Sequence, residues 1–247
     1  MSVFGPLRAQ FESAEAPRAG DAEIAFYLER LPHTGSIILE PMCGYGRVLT
    51  PLAAAGLNLQ GVDIAPSMLE ECGAALARAA KTAPLFRQDI AELNLPFRYG
   101  AAYIAGASFQ WLTDGTRARA ALARIRAHLV DPGLLLLDLR VPSERMQRIA
   151  APLVEVRTAM LADGSRIALR SETTMYPDAR LARTQSRYVH RRGNALLGEE
   201  SDVRAITWYA PDDIVAMLGG AGFRDVAIGP SPRDGGEDLI FSVAARA

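Results

Sequence analysis

Apolar residues in the first 140 positions alternate between short continuous runs and runs with helical spacing. The continuous runs predict buried strands at residues 36–40, 59–63, 85–89, 101–105 and 134–139. Apolar positions three and four apart predict four helices. The first is capped by Asp21, the second lies around residues 48–56, the third begins at Pro66 and the fourth is capped by Asp114. Alternation of this kind is typical of a doubly wound, Rossmann-like α/β fold, a mostly parallel sheet with helices on both faces.

The pattern changes after Pro142. Alternating runs at residues 153–161, 167–175, 183–190 and 203–208, with the turn signal Asp163-Gly164, predict an antiparallel β insertion. A helix at 211–218 and an edge hairpin at 226–228 and 239–243 then complete the main sheet. We therefore divide the chain into an irregular N-terminal arm (1–20), a Rossmann-like domain (21–142 and 210–247) and a β insertion (143–209) that contacts substrate or a second subunit.

Composition narrows the class of partner. The 247 residues carry 27 basic and 28 acidic side chains, so no strong field attracts nucleic acid or an anionic membrane, and a small-molecule partner is expected. No apolar run is long enough to span a bilayer, and no signal peptide is evident. Two cysteines and three scattered histidines give neither a disulfide framework nor a metal site. We expect a cytoplasmic monomer or homodimer.

The segment from Glu40 to Arg47 carries the first chemical signal. It follows a predicted strand, opens a helix, and contains Gly44 and Gly46, which allow a tight turn and close approach to a ligand. A dinucleotide-binding turn requires a third glycine where this chain has Leu49. The Glu40 carboxylate would repel a pyrophosphate but attract an ammonium group, which favours a cationic ligand over NAD.

Acidic residues also end the next two predicted strands. Asp63 is placed to accept hydrogen bonds from two ribose hydroxyls, with Ile64 against an adenine face. Asp89 can accept from an adenine amino group and the Ile90 N–H can donate to the ring, although a simple helix cap explains Asp89 equally well. Residues 107–111 follow the fourth strand and are expected to run along the remaining end of the ligand.

These segments resemble the motifs of class I S-adenosylmethionine-dependent methyltransferases over residues 20–141. Residues 40–47 are similar to the first motif, 61–69 to the acidic loop and 88–90 to the adenine motif, while Met42 and Tyr99-Gly100 depart from the usual glycine and Phe-Asp. Because Met42 replaces a glycine, we expect a differently shaped turn. The β insertion is similar to that of small-molecule N-methyltransferases, including those acting on nucleotide-linked aminosugars. The resemblance implies S-adenosylmethionine as cofactor, bound by Glu40, Gly44, Gly46, Asp63, Ile64, Met68, Asp89, Ile90, Ala107 and Ser108.

The acceptor is less defined by the sequence. An amine acceptor needs no dedicated base, whereas a hydroxyl usually does. Candidate bases are Tyr27, Tyr188 and His190, with Glu199 or Glu200 beyond them. Tyr188 and His190 share a strand face, which we expect to be solvated, and we expect the frequent arginines of the insertion to be surface cations. We predict N-methylation of a small molecule. The alternatives are O-methylation with a base from the insertion, cofactor binding without transfer, and a nicotinamide-dependent oxidoreductase.

Overall fold

A computed structural model describes residues 4–16, 18–33, 35–231, 233 and 236–247. Two sheets and their helices make up this part of the chain. The helices are α1 (Pro6–Glu15), α2 (Asp21–Arg30), α3 (Leu49–Ala54), α4 (Pro66–Arg78), α5 (Gly115–His128), α6 (Glu144–Gln147) and α7 (Pro211–Gly220). The strands are β1 (Ile38–Pro41), β2 (Leu59–Asp63), β3 (Leu85–Arg87), β4 (Tyr99–Ile104), β5 (Leu129–Val141), β6 (Leu153–Met160), β7 (Arg166–Tyr176), β8 (Leu181–Arg192), β9 (Ala195–Thr207), β10 (Arg224–Pro230) and β11 (Leu239–Arg246).

The main sheet has seven strands in the order β10-β11-β5-β4-β1-β2-β3. Strands β1 to β5 are parallel, and β11 is antiparallel to both β5 and β10. The chain order reverses between β1 and β4, so the carboxyl ends on either side of that position form a crevice. The predicted fold class, a Rossmann-like sheet with a separate antiparallel insertion, is confirmed.

Two apolar clusters cover the faces of this sheet. One packs α5 and α7 against it around Leu122, and the other packs α2, α3 and α4 around Leu49. The continuous apolar strands of the sequence arise here, because β1 and β2 are buried along their whole length. Among the described residues, no helix is long and apolar enough to cross a membrane.

The second sheet, β6-β7-β8-β9, is an antiparallel meander lying within the predicted insertion. The expectation that the face carrying Tyr188 is solvated was wrong. Tyr188 is 0% exposed and lies in an apolar cluster with Phe11, Ile167 and Leu169. The alternating Arg187 points to the solvated face, where it pairs with Glu199.

The predicted irregular arm was wrong over residues 6–15, which form helix α1. Pro6 occupies its first turn, where a missing N–H costs nothing, and Arg8 pairs with Glu12 one turn later at 2.8 Å. Leu7 and Phe11 pack together on the insertion, so α1 covers the face on which Tyr188 lies. Pro17, also assigned to the arm, lies outside the described residues.

Two strands begin earlier than the sequence predicts, and one short helix was not predicted. Strand β5 begins at Leu129 and includes the Pro132-Gly133 pair that predicted a turn. Strand β9 begins at Ala195, eight residues before the predicted strand, because β8 provides a continuous partner for residues 195–207. Helix α6 was not predicted. Its first turn is capped by Ser143, whose Oγ accepts from the Met146 N–H at 3.3 Å.

Candidate active site

A cavity of about 420 Å³ lies where the carboxyl ends of β1, β2 and β3 meet α1 and β9. Eight of the ten predicted cofactor residues line it, namely Glu40, Gly44, Asp63, Ile64, Met68, Asp89, Ile90 and Ser108. Cavities of this volume are typical of small-molecule sites. The remaining two, Gly46 and Ala107, are not among the lining residues of the cavity.

In the turn after β1, every second residue from 42 to 46 has a left-handed backbone: Met42 at φ 60°, Gly44 at 54° and Gly46 at 81°. Nothing lies within 4 Å of a Cβ placed on Gly44, whereas one on Gly46 would be 2.6 Å from Cys72 Sγ. Gly44 therefore leaves open space in the cavity, and Gly46 permits close packing on α4. Met42 keeps a glycine-type backbone, a conformation that costs a side-chain-bearing residue about 1–2 kcal/mol.

Glu40 is a buried carboxylate at the end of β1, only 3% exposed. The Tyr103 hydroxyl donates to its Oε2 at 2.8 Å, and no other described residue is recorded as donating to it. Burial raises the pKa of Glu40 well above its usual value, against the lowering effect of the Tyr103 hydrogen bond. A cation arriving in the cavity would stabilise the ionised form of this group.

Asp63 ends β2, directly beside β1, and points into the same cavity as Glu40. Its Oδ2 accepts from the Gly44 N–H at 2.9 Å and its Oδ1 accepts from the Ala65 N–H at 2.9 Å. Burial raises the pKa of Asp63, while these backbone hydrogen bonds lower it. The carboxylate thus joins the glycine turn to the strand end and retains lone pairs for a ligand.

Two further predicted cofactor residues, Asp89 and Ser108, also line the cavity. Asp89 Oδ1 accepts from the Ala91 N–H at 2.9 Å and caps a short 3₁₀ helix, while its Oδ2 pairs with Arg117. Asp89 therefore both caps the 3₁₀ helix and lines the cavity. Ser108 donates to the Ala105 carbonyl at 2.7 Å, and the preceding Ala107 has a left-handed backbone, φ 58°.

Comparison with known proteins agrees with this geometry. The sequence model of a family described as "Methyltransferase domain" matches residues 38–133, which contain the glycine turn and all three acidic strand ends.

Residues 38–133 are therefore similar to a methyltransferase domain.

Individual relatives extend the comparison beyond these residues. A protein of Geobacillus sp. (strain WCH70), named as a methyltransferase, is 30% identical over 128 residues, so the match spans about half of each chain (50% and 51%). A solved S-adenosylmethionine-dependent methyltransferase of Clostridium acetobutylicum superposes with a TM-score of 0.76 at 15% identity, covering 95% of both chains. An amino pentose methyltransferase of Micromonospora echinaspora, solved with S-adenosylmethionine bound, superposes with a TM-score of 0.70 at 21% sequence identity. The superposition covers 100% of this chain and 99% of that protein. These similarities confirm the predicted class I methyltransferase fold.

The three candidate bases, Tyr27, Tyr188 and His190, are not among the residues that line the cavity. Tyr27 is 1% exposed, and its hydroxyl donates to Asp138 Oδ1 at 3.4 Å. Burial raises the pKa of Tyr27 well above its usual value. Burial also raises the pKa of Tyr188, to about 12. His190 Nε2 lies 2.7 Å from Ser165 Oγ in the β6–β7 hairpin. None of the three is placed to take a proton from a molecule in the cavity.

The side of the cavity formed by α1 and β9 was missed by the sequence analysis. Arg8 and Glu12 line it from α1, Phe4 lines it from just before that helix, and β9 contributes Val203, Arg204 and Ala205. Helix α1 is held over the cavity at both ends: the Leu7 N–H donates to Glu200 Oε2 at 2.9 Å, and Tyr45 donates to the Ala16 carbonyl at 3.1 Å. The spacing of Leu7, Phe11 and Ala14 was the available signal for this helix.

Proposed function

We propose that this chain transfers a methyl group from S-adenosylmethionine to a nitrogen atom of a small molecule. The observation that carries the proposal is the convergence of three acidic strand ends, Glu40, Asp63 and Asp89, with the open Gly44 turn in one cavity. A pyrophosphate would be repelled by this set of carboxylates, whereas a cofactor with an ammonium and a sulfonium suits them. The same convergence disfavours a nicotinamide-dependent oxidoreductase.

The residues of the cavity fit the cofactor group by group. Glu40 would hold the ammonium, Asp63 the ribose hydroxyls, and Asp89 with the Ile90 N–H the adenine edge. The unobstructed backbone at Gly44 allows close approach of the cofactor. When bound, S-adenosylmethionine supplies a methyl group already activated by a sulfonium. The chain contributes alignment and water exclusion, with α1 and β9 closing the cavity over the reacting groups.

Nitrogen is the preferred acceptor atom because the cavity lacks the proposed bases. Oxygen methylation was expected to use Tyr188 or His190, and both side chains are engaged elsewhere, in the α1 cluster and with Ser165. A neutral amine is nucleophilic without such a base. Similar folds include a sugar N-methyltransferase of Streptoalloteichus sp. ATCC 53650, at 20% identity, a TM-score of 0.69 and coverage of 100% and 97%.

Calorimetric titration with S-adenosylmethionine tests the cofactor site. Asp63→Asn keeps one acceptor oxygen for the backbone but removes the charge, and we expect binding about 10- to 100-fold weaker, since hydrogen bonds to charged groups contribute about 1.5–3 kcal/mol each. Asp21→Asn is the matched control, because the Asp21 side chain is 86% exposed and pairs only with Arg18 among the described residues. Equal affinity of both variants and the parent protein would refute the assignment.

Isotope-labelled S-adenosylmethionine tests the reaction itself. Matched amine and hydroxyl acceptors, such as glucosamine with glucose and ethanolamine with ethylene glycol, are incubated with the protein, and the labelled products are analysed by mass spectrometry. Label on the amines alone supports N-methylation, and label on the hydroxyl compounds supports the O-methyltransferase alternative. Cofactor binding without S-adenosylhomocysteine formation from a broad acceptor pool would indicate a non-catalytic binding protein.

A further inference from the structure

Arg204 is a partly buried arginine on β9 whose side chain lines the cavity beside α1. Its guanidinium carbon lies 5.4 Å from the centroid of the Trp111 ring, within the range of a cation–π contact. Phe4 packs on Trp111 with ring centroids 5.4 Å apart. Arg204 therefore projects into a cavity wall built from two aromatic rings.

The other arginines that line the cavity each have a carboxylate within ion-pair distance. Arg8 pairs with Glu12 and Asp202, Arg47 with Glu23, and Arg233 with Asp138. In the part of the chain that the structure describes, no carboxylate lies within ion-pair distance of Arg204 and no hydrogen bond of its guanidinium is recorded. Burial lowers the pKa of Arg204, and the neighbouring Arg8 lowers it further. The nearby carboxylates Glu12 and Asp202 act in the opposite direction, but both are paired with Arg8. The Arg204 guanidinium therefore keeps its N–H donors for a bound anion.

The strand surface next to Arg204 is polar as well as buried. Arg204 lies opposite Thr184 in the β8–β9 ladder, and the Thr184 hydroxyl is 2.8 Å from that of Thr173. Along the same face, Ser186 Oγ and Asp202 Oδ1 are buried without a hydrogen-bond partner among the described residues. This face is apolar around Tyr188 and becomes polar toward Arg204, where a polar ligand would be accommodated.

We propose that Arg204 binds an anionic group of the methyl acceptor, a phosphate or a carboxylate, while Trp111 and Phe4 contact the body of the molecule. The guanidinium has five N–H donors in a planar fork that matches both oxyanions, and the Trp111 contact holds it in position. The inference rests on the proposed function, because it takes the space between α1 and β9 as the acceptor subsite. The substrate class is then a small amine that carries a negative charge.

Tryptophan fluorescence gives a local readout, because the chain has two tryptophans, Trp111 and Trp208. In a Trp208→Phe background only Trp111 remains, next to Arg204. The protein is saturated with S-adenosylhomocysteine and titrated with inorganic phosphate and, separately, with acetate, against sodium chloride at equal ionic strength. We expect a saturable change with phosphate or acetate that chloride does not give. The responding anion identifies a phosphorylated or a carboxylated acceptor.

Variants in the same background decide whether Arg204 is responsible. We expect Arg204→Gln to weaken the anion response at least tenfold and Arg204→Lys to restore part of it. Arg187→Gln, exposed on the opposite face and paired with Glu199, should bind within twofold of the background protein. A thermal melt of each variant verifies folding. No saturable response to either anion, or an equal response in Arg204→Gln and Arg187→Gln, overturns the inference.

The titration is also run without S-adenosylhomocysteine, so that the two proposals are judged separately. Calorimetry measures S-adenosylhomocysteine binding independently of Trp111. Absence of S-adenosylhomocysteine binding counts against the proposed function. Binding of S-adenosylhomocysteine with no anion response counts against the role of Arg204 alone.

Discussion

Replacing Glu40 by Gln should increase the stability of the protein and weaken cofactor binding. Burial raises the pKa of Glu40 above the ordinary value of 4.5, so at neutral pH the folded protein binds a proton more readily than the unfolded chain. Ionising Glu40 therefore costs stability, which falls as the pH rises from 4.5 toward the raised pKa. Gln is neutral, and its amide oxygen can still accept a hydrogen bond from Tyr103. The variant should therefore not lose stability as the pH rises, and above this pH range it should melt at a higher temperature than the parent protein.

The size of the binding effect follows from the contacts of the Glu40 carboxylate. Among the described residues only Tyr103 donates to it, at Oε2, which leaves Oε1 for one charge-assisted hydrogen bond from a ligand ammonium. Losing that bond costs about 1.5–3 kcal/mol, which corresponds to S-adenosylmethionine binding weakened about 10- to 100-fold. The affinity of the parent protein should rise with pH, because the cation binds the ionised carboxylate, and the variant should show no such contribution.

Calorimetry between pH 5 and 9, in buffers of different ionisation enthalpy, measures both the affinity and the proton released on binding. Glu29→Gln is the control, since the Glu29 side chain is 72% exposed and pairs with Arg30 beside it. Unchanged cofactor affinity in Glu40→Gln, or a pH dependence identical to that of the parent protein, would refute this role of Glu40.

Two further predictions concern the glycine turn and the absence of a base. Gly46→Ala should destabilise the fold by about 1–3 kcal/mol in urea denaturation, because its Cβ would be 2.6 Å from Cys72 Sγ, whereas Gly44→Ala should cost about 1 kcal/mol and mainly weaken cofactor binding. The opposite order of stabilities would contradict the packing argument. The rates of methyl transfer by Tyr188→Phe and His190→Gln should each stay within about threefold of the parent rate. A loss of about 100-fold or more in either variant would instead support a general base on the insertion.

Continuous apolar runs made the central sheet predictable. Strands β1 and β2 are buried on both faces, so their sequences lack alternation and end abruptly at Glu40–Pro41 and Asp63. A parallel arrangement then brings those ends to one edge, which is why most of the predicted cofactor residues meet in one cavity. Which polar contact each makes was not predictable, since Asp63 and Asp89 also cap backbone turns that local sequence alone explains equally well.

The side of the cavity formed by α1 and β9 was not predictable, because it depends on contacts between distant parts of the chain. Gly5 and Pro6 indicate an irregular segment when read locally, yet they begin α1 once the insertion provides a surface for Phe11. On β8 the residues Ala182, Thr184 and Ser186 alternate with Arg183, Gln185 and Arg187 and suggest a solvated strand, but the three small side chains are buried. The sequence consequently did not indicate that Arg8 and Arg204 line the same cavity.

The contact between Leu7 and Glu200 joins residues 193 positions apart. At translation rates of about 5–20 residues per second, α1 would be made about 10–40 s before the carboxylate that secures its first turn. Until β8 and β9 emerge from the ribosome, Phe11 lacks its contact with Tyr188, Leu7 lacks its contact with Glu200, and the crevice above the nascent sheet remains uncovered. The ligand affinity proposed for this cavity should therefore develop late in biosynthesis, after β1, β2 and β3 have already paired.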